Sequence, residues 1–287
     1  MRRLTVASPA TLEVVFEGDD ELGVDVGDVQ VTIDSDRTGE QIADGAADKE
    51  TVDRATVYRF AVDPVDDVDL LHVTWKADTA TLTSVHEVAG GWYAALRRLA
   101  SMDGLDATPK ETLREARQAG EDLVERFTRQ AFVPRYRRDE IRVAGRSQTQ
   151  PFGLRERASA LQLSRTPVRD LLWIRIDDDD ANLDDVEVTA SGELRRPAGW
   201  PIDALVRVAY RVGHDHPPAD LRDEWIRFVR FLVLEEHVDV SPRATGMDNE
   251  FGNISYSIAD EHADRPTGLP RMDAALVRYR QPSQVIA

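Results

Sequence analysis

The sequence predicts an α+β fold: an N-terminal all-β domain of immunoglobulin-like sandwich type, followed by a domain of long helices with a small antiparallel sheet. Residues 1–90 hold five short runs rich in Val and Thr, which turn signals such as Thr38-Gly39 and Asp63-Pro64 separate. Short strands at such intervals are typical of a β-sandwich or barrel. Two long segments with helical apolar spacing follow, at Pro109 to about Phe132 and at Pro218 to Glu236.

The predicted N-terminal strands alternate apolar with polar residues at several places, as half-buried strands do. They span Thr11–Phe16, Val24–Asp34, Ala55–Val62, Asp69–Ala77 and Ala80–Val88. Trp75 lies on a central strand and is the expected core anchor. The chain has no Cys, so the sandwich contains no disulfide, and thiolate nucleophiles and Cys-ligated zinc are excluded as well.

Charge is unevenly distributed, which indicates a domain boundary. Residues 1–104 hold 21 acidic and 9 basic residues, which gives a net charge of −12. Residues 105–287 hold 32 acidic and 27 basic residues, which gives a net charge of −5. We predict a sandwich over 1–90, a linker with a short helix over 91–108, a second domain over 109–280 and a tail over 281–287. The linker's helix is expected near Trp92–Met102.

The second domain begins with the helix from Pro109, for which Thr108 and Glu111 form a predicted capping box. Strands are expected after Pro134, and a last short helix runs from Pro270 to about Tyr279. The strands span Arg135–Ala144, Ala160–Ser164, Arg169–Asp177, Val186–Ala190, about Ile202–Val212 and Phe251–Ile258.

The composition is acidic and poor in lysine, as in proteins of extreme halophiles. The net charge is −17, and only Lys49, Lys76 and Lys110 are lysines among 36 basic residues. An acidic mesophile protein from a GC-rich genome is the alternative. At about 1 M salt the Debye length is about 3 Å, and phosphate contacts weaken steeply with salt. Binding of DNA through charge is therefore disfavoured. The sequence also shows no signal peptide and no apolar stretch of membrane-spanning length.

Residues 105 to 280 resemble the head-tail connector (adaptor) family of tailed viruses, of the long-tailed type also found in haloarchaeal viruses. The resemblance is carried by a first helix, TLREARQAGEDLVERFTRQAF, and by the strand pair ALQLS-RTPVRDLLWIRID with its Pro167-Val168 step. It continues in the hairpin end GELRRPAGWP, the strand-loop-helix VRVAYRVGHDHPPADLRDEWIRFVRFLV and the ending TGLPRMDAALVRYR. It does not cover residues 1–100, which form an additional domain that we expect to project from the adaptor.

The resemblance implies a structural virion protein that occupies the neck at the tail vertex, after assembly in the host cytoplasm. Members of the family form a homo-oligomeric ring, typically a dodecamer, below the portal protein. The ring extends the channel for the genome, and DNA passes without specific binding. It joins the head to the next neck or tail protein, and a C-terminal segment reaches towards the portal. No membrane is involved.

Two segments are predicted to form the subunit or portal interface. The helix from Pro218 is apolar almost all round, so it is either a central core helix or one with a core face and a subunit-contact face. Its interface candidates are Trp225, Phe228 and Val229. The C-terminal arm is expected to stay detached until its partner orders it. Its candidates are Arg271, Met272, Leu276, Arg278, Tyr279 and Arg280.

Other charged clusters have an ordinary interpretation. The basic stretch of Arg135, Arg137, Arg138, Arg142 and Arg146 is either a nucleic-acid patch or, as we favour, a solvated face or a set of ion pairs with a neighbouring subunit. His214-Asp215-His216 is poorly spaced for a metal, and the acidic run Asp177–Asp180 lacks the pattern of a calcium loop. No phosphate loop, nucleophile elbow or zinc-protease motif occurs. We therefore expect neither catalysis nor a cofactor.

Two other functions fit the sequence. One is a β-sandwich that binds a ligand such as a sugar or a host surface, fused to an α+β domain. The other is a neck or tail-completion protein one layer below the adaptor.

Overall fold

The computed structural model describes residues 2–17, 23–52, 55–143, 157–189, 191–235, 248–249, 252–253 and 266–281. Arg146, most of the predicted strand Phe251–Ile258 and the tail from 282 onwards lie outside these residues. The chain forms two compact units. Residues 1–91, 134–163 and 168–212 form a β unit, and residues 92–133, 164–167 and 213–287 form a helical unit.

The N-terminal part of the β unit contains two sheets that share one core. The strands of the first sheet lie in the order β1 (Arg3–Thr5), β8 (Thr81–Ala89), β7 (Asp69–Lys76), β3 (Gln30–Ser35) and β4 (Gln41–Ala46). Strand β1 is parallel to β8, and the other neighbouring pairs are antiparallel. The second, antiparallel sheet has the order β2 (Ala10–Val15), β6 (Ala55–Val62), β5 (Asp48–Val52). Leu12 and Tyr58 from the second sheet meet Ile33, Leu71 and Trp75 from the first.

Trp75 is 1% exposed, which confirms its predicted place in the core. The sequence misses β1, β4 and β5. The residues of β4 and β5 are mostly exposed, so these strands have no apolar alternation to reveal them. The immunoglobulin-like topology stays a prediction.

The later strands of the β unit form two further antiparallel sheets. One has the order β12 (Asp179–Asp180), β11 (Val168–Ile176), β15 (Leu205–Val212), β9 (Arg135–Arg142). The other has the order β10 (Arg157–Gln162), β14 (Glu193–Pro201), β13 (Glu187–Val188). The α+β fold class is confirmed. These strands, however, group with residues 1–91 and not with the helices, unlike the predicted division at residues 90 and 109.

The helical unit contains α1 (Leu96–Ala100), α2 (Lys110–Thr128), α3 (Ala219–Glu235) and α4 (Pro270–Tyr279). Between α3 and α4, the two short strands β16 (Asp248–Asn249) and β17 (Gly252–Asn253) pair antiparallel. The predicted capping box on α2 is wrong, because Pro109 occupies the N-cap position and no side chain caps the helix. None of the helices that the structure describes is long and apolar enough to cross a membrane.

Gly120 lets α2 approach α3 closely. A Cβ atom built on Gly120 would lie 2.9 Å from Trp225 Nε1 and 3.0 Å from Val229 Cγ2. Both distances are shorter than ordinary van der Waals contacts, so glycine is required for this packing. The two longest helices therefore share a tightly closed core.

Candidate functional site

The three interface candidates on α3 lie inside the helical unit. Trp225, Phe228 and Val229 are 0%, 1% and 0% exposed. They belong to one apolar cluster with Tyr93 of the segment before α1 and Phe132 after α2. The Trp225 ring centroid lies 5.3 Å from that of Tyr93. Their predicted place at an interface is therefore corrected, because the subunit's own helices already bury these side chains and a second subunit cannot reach them.

The C-terminal arm is folded onto the helical unit rather than detached. Met272 and Leu276 on α4 are 1% and 0% exposed and join the same apolar cluster. At the end of α4, the Tyr279 hydroxyl donates to Asp220 Oδ1 at 2.7 Å, and Arg278 Nη1 donates to Asp220 Oδ2 at 2.6 Å. This corrects the prediction that the arm orders only on its partner: apolar burial on one face and Asp220 on α3 already hold it.

Asp220 and Tyr279 shift each other's ionisation. The hydrogen bond from Tyr279 is the main reason that the pKa of Asp220 is lowered, and Arg278 adds to it. Burial and the Asp220 carboxylate raise the pKa of Tyr279. Near neutral pH the pair is therefore a carboxylate that accepts from a neutral phenol.

The start of α4 is fixed by a second carboxylate. Asp273, which is 5% exposed, accepts hydrogen bonds from the backbone N–H of Thr267 at 3.0 Å and from its hydroxyl at 2.6 Å. The Thr267 hydroxyl in turn accepts from the N–H of Leu269 at 3.2 Å. The turn that precedes α4 is thus tied to the first turn of the helix.

The outer face of α4 carries the remaining interface candidates. Arg271 and Arg278 are exposed, and Val277, between them in sequence, is 53% exposed. Arg280 lies just after the helix, with its guanidinium carbon 4.9 Å from the centre of the Phe127 ring. Between α3 and α4 lies a groove of about 380 Å³. Its charged lining residues are Asp220, Asp223, Glu224 and Arg227 from α3 and Arg271 and Arg278 from α4.

The basic stretch after Pro134 is largely neutralised within the β unit. Glu87 on β8 is 0% exposed and faces three guanidinium groups. Arg3 Nε and Arg137 Nη1 each lie 2.5 Å from its carboxylate oxygens, and Arg135 Nε lies 3.8 Å away. Burial raises the pKa of Glu87, but Arg135, Arg137 and Arg3 outweigh this effect and hold the pKa well below its usual range.

A second carboxylate, Asp36, pairs with the next residues of β9. It accepts from the Tyr136 hydroxyl at 2.8 Å and from Arg138 Nη1 at 3.0 Å. His72 Nε2 lies 3.2 Å from the same carboxylate. Burial and the hydrogen bond to Asp36 raise the pKa of Tyr136, which therefore stays a donor. The sequence predicted a solvated face or ion pairs with a neighbouring subunit for this arginine stretch. The described ion pairs lie within the chain instead.

The candidates for a metal site do not assemble into one in the described part of the chain, where no group of three or more potential ligands occurs. The His214 ring stacks on Phe132, with their centroids 5.9 Å apart. In the acidic run, Asp178 pairs with Arg207 and Asp180 with Arg175.

No protein-family model and no curated protein matches the chain. Among solved structures, it is similar to a chain from the neck of an empty gene transfer agent (GTA) particle computed with C6 symmetry, at 12% identity and a TM-score of 0.44 over 68% of this chain and 93% of that one. It is also similar to a chain from the virion of the native GTA particle, at 13% identity and a TM-score of 0.42 over 68% of this chain and 93% of that one. A third similar chain comes from the neck of the native GTA particle computed with C12 symmetry, at 15% identity and a TM-score of 0.39 over 69% of this chain and 97% of that one.

Sequence reasoning missed Glu87 and Asp36 as partners of the arginines. Glu87 lies at the end of an apolar strand and Asp36 in a turn, and neither belongs to a motif. The only local signal is a charged residue inside the run His86–Ala89, all four of which are buried, since charged residues are almost never fully buried unless they are paired.

Proposed function

We propose that this chain is a structural neck protein of a tailed virus or a related particle, and that it acts there as the head-tail adaptor. Several copies form a closed ring, a dodecamer in the resembled family, beneath the portal protein. The ring extends the genome channel and receives the next neck or tail protein. The role is one of assembly, without catalysis or a cofactor.

The observation that carries the proposal is the surface of α3 and α4. Acidic Asp220, Asp223 and Glu224 stand along α3, opposite Arg271 and Arg278 of α4. A head-to-tail contact in a ring needs two different patches that complement each other. Exposed carboxylates beside exposed arginines and Val277 supply such patches, while the apolar cluster behind them is closed. Portal and subunit contacts are thus assigned to the polar residues Arg271, Arg278 and Arg280 and to Tyr279.

The β unit is compatible with a genome channel through which DNA passes without specific binding. Arg135 and Arg137 are paired with Glu87, and Arg138 with Asp36. Arginines whose charge is already compensated attract phosphates weakly, and a net charge of −17 repels DNA at a distance. The acidic, lysine-poor composition supports the further proposal that the particle belongs to a virus of halophilic archaea.

Electron microscopy of the purified chain, alone and with its portal protein, tests the proposal. We expect rings, and we expect Arg271→Glu to abolish or weaken them, because the reversed charge repels the carboxylates of the neighbouring subunit. Arg278 is left unchanged in this test, because it pairs with Asp220 of its own chain. Arg195→Glu is the matched control, because Arg195 is an exposed arginine of the β unit that pairs with the nearby Glu193. A chain that stays monomeric with the portal present would overturn the adaptor role. Rings that bind below an adaptor layer would identify a neck or tail-completion protein instead.

A further inference from the structure

Strand β8 of the sandwich has one edge that is largely unpaired in the described part of the chain. On one side, the whole run Thr81–Val88 pairs with β7. On the other side, β1 pairs only with Glu87–Ala89. No strand among the described residues pairs with residues 81–86 on that side. We call this run of six residues the β8 edge.

Neighbouring hydrogen bonds show which backbone groups face the open side. The N–H of Glu87 points to the side of β1 and donates to the Arg2 carbonyl at 3.1 Å. The backbone groups of alternate residues in a strand point to the same side. The N–H and C=O groups of Thr83 and Val85, further back along the same strand, therefore face the open side. They are arranged as a template for one more strand.

The β8 edge lacks the features that usually protect a free edge. Its residues, TLTSVH, include no acidic residue, lysine, arginine or proline, and its pairing with β7 contains no bulge. Proteins commonly use such features to prevent a free edge from pairing with another chain. The other edge strands of the described β unit each contain at least one charged residue; they are β1, β2, β4, β5, β9, β10, β12 and β13.

The inward side chains of the β8 edge are incompletely covered. Leu82, Ser84 and His86 lie opposite buried core residues of β7, so they face the core of the sandwich. Leu82 is nevertheless 37% exposed. His86 is 8% exposed, and its Nε2 lies 3.0 Å from Ser84 Oγ, but its Nδ1 makes no well-formed hydrogen bond in the part of the chain that the structure describes. An apolar surface and a buried polar nitrogen thus remain to be covered on this side.

The sandwich that carries this edge is strongly acidic. Residues 1–91 hold 20 acidic and 7 basic residues, which gives a net charge of −13. Burial is the main reason that the pKa of His86 is lowered to about 4, so its ring adds no positive charge near neutral pH. A segment with basic side chains is attracted to such a surface. The sandwich of a second copy carries the same negative charge and is repelled.

We infer that the β8 edge binds an extended, basic segment of a partner protein, which joins the first sheet as a further strand on the same side as β1. Main-chain hydrogen bonds to Thr83 and Val85 provide affinity, and the alternate side chains of the segment provide selectivity. On its inner face, an apolar side chain covers Leu82 and a hydroxyl group lies beside His86. Its lysine or arginine side chains stand on the outer face. The proposed ring does not use this edge, so the inference goes beyond the proposed function.

The test is fluorescence anisotropy of a labelled heptapeptide titrated with the full chain. Four lysines of the peptide alternate with Val, Val and Thr, so that one face is basic and the other matches Leu82, Ser84 and His86. We expect saturable binding, and slower hydrogen exchange of the Thr83 and Val85 amides in NMR spectra when the peptide is present. A peptide with glutamates in place of the lysines should bind more weakly. Absence of saturable binding, or binding that leaves both amides unprotected, overturns the inference.

Thr83→Pro removes one donor of the edge and should preserve the fold, because proline is tolerated on an edge strand where its nitrogen faces solvent. We expect it to raise the Kd at least about tenfold, since one backbone hydrogen bond is lost and the ring obstructs the added strand. Thr83→Ala is the matched control, because it keeps the N–H, and its Kd should equal that of the wild type. Thermal melting verifies that both variants are folded. Equal Kd values for the two variants would contradict strand addition.

N-methylated peptides test the same point with the protein unchanged. Only one edge of a bound strand faces β8, so methyl groups on one set of alternate amides should abolish binding, and those on the other set should leave it intact. Equal effects of the two sets would rule out strand addition. A dimer of the chain alone that Thr83→Pro dissociates, measured by analytical ultracentrifugation, would place a second copy on the edge instead of a partner. These assays require neither a ring nor the portal protein, so their failure leaves the proposed neck function untouched.

Discussion

Glu87 is one carboxylate shared by Arg3, Arg135 and Arg137, and it comes from a different strand than each of them. Its side chain is 0% exposed, and so is that of Arg135. A buried charge is tolerated only when it is paired, and removal of one partner leaves the others uncompensated. The charged side chains of β1, β8 and β9 can therefore be buried against one another only because Glu87 pairs with the arginines.

We predict that Glu87→Gln lowers the free energy of unfolding by about 3–5 kcal/mol, because three guanidinium groups then lose their shared negative charge. Urea denaturation followed by circular dichroism measures the change. Glu50→Gln is the matched control, because Glu50 pairs with Arg59 at the surface. This substitution should lower the free energy of unfolding by less than about 1 kcal/mol. Equal losses in the two variants would show that the buried cluster has no special role.

The same carboxylate gives the stability a pH dependence with a definite sign. The pKa of Glu87 is lower in the folded chain than its ordinary value of 4.5, so folding favours the ionised form. Its contribution is complete above about pH 4.5 and is lost as the pH falls below that value. Wild type should therefore lose stability more steeply than Glu87→Gln on acidification, and parallel curves would contradict this assignment.

Gly120 on α2 is the second residue on which the fold depends. Gly120→Ala gains up to about 1 kcal/mol of helix propensity, but its Cβ would press on Trp225 and Val229, which are buried and cannot move aside. Overpacking typically costs about 1–3 kcal/mol, so we expect a net loss of stability in thermal unfolding. Exposed Glu115→Ala on the same helix should be neutral or stabilising. A stabilised Gly120→Ala would contradict the tight contact.

At the scale of elements, the periodicity of the sequence predicted α2, α3, α4 and the central strands. It could not decide what covers α3, because near-continuous apolarity on a helix fits both a core and a core with an interface. Helices α2 and α4 cover it, through contacts such as Gly120 with Trp225 that bring distant parts of the chain together. The arm was predicted to be detached because, in the resembled family, a C-terminal segment reaches towards the portal.

The docking of α4 makes a prediction at this scale. Tyr279→Phe removes the hydrogen bond to Asp220 and should speed hydrogen exchange of the α4 amides, by an amount that corresponds to about 1 kcal/mol. Asp220→Asn keeps an acceptor for the phenol but loses the charge that pairs with Arg278, so it should also speed exchange of these amides. Exchange that changes equally throughout α2 and α4 would mean that the helices open as one unit, and would contradict a local role for this bond.

At the scale of the molecule, the β unit is discontinuous in the sequence. Residues 1–91 and the strands between 134 and 212 belong together, and α1 and α2 lie between them in the chain. The charge shift near residue 104 predicted a boundary there, whereas residues 92–133 form one continuous part of the helical unit. It could not reveal that β9 returns to the N-terminal part, because the link is made by Glu87 and Asp36 with arginines about 50 and 100 residues away.

The N-terminal sandwich therefore belongs to the same compact unit as the strands between 134 and 212, and this makes a last prediction. A chain that lacks residues 1–91 keeps Arg135 and Arg137 but loses Glu87 and Asp36, so buried guanidinium groups remain without their carboxylates. We expect residues 92–287 to be insoluble or to lack a cooperative melting transition.

Co-expression of residues 1–91 as a separate chain should restore folding, because Glu87 and Asp36 can pair with the arginines of β9 without a covalent connection. Co-expression of the same segment with Glu87→Gln should restore it less well, which ties the rescue to the carboxylate and not to apolar burial alone. Cooperative melting of residues 92–287 on their own, measured by calorimetry, would show that the later strands fold without the sandwich. The sandwich would then be the separate domain that the sequence suggests.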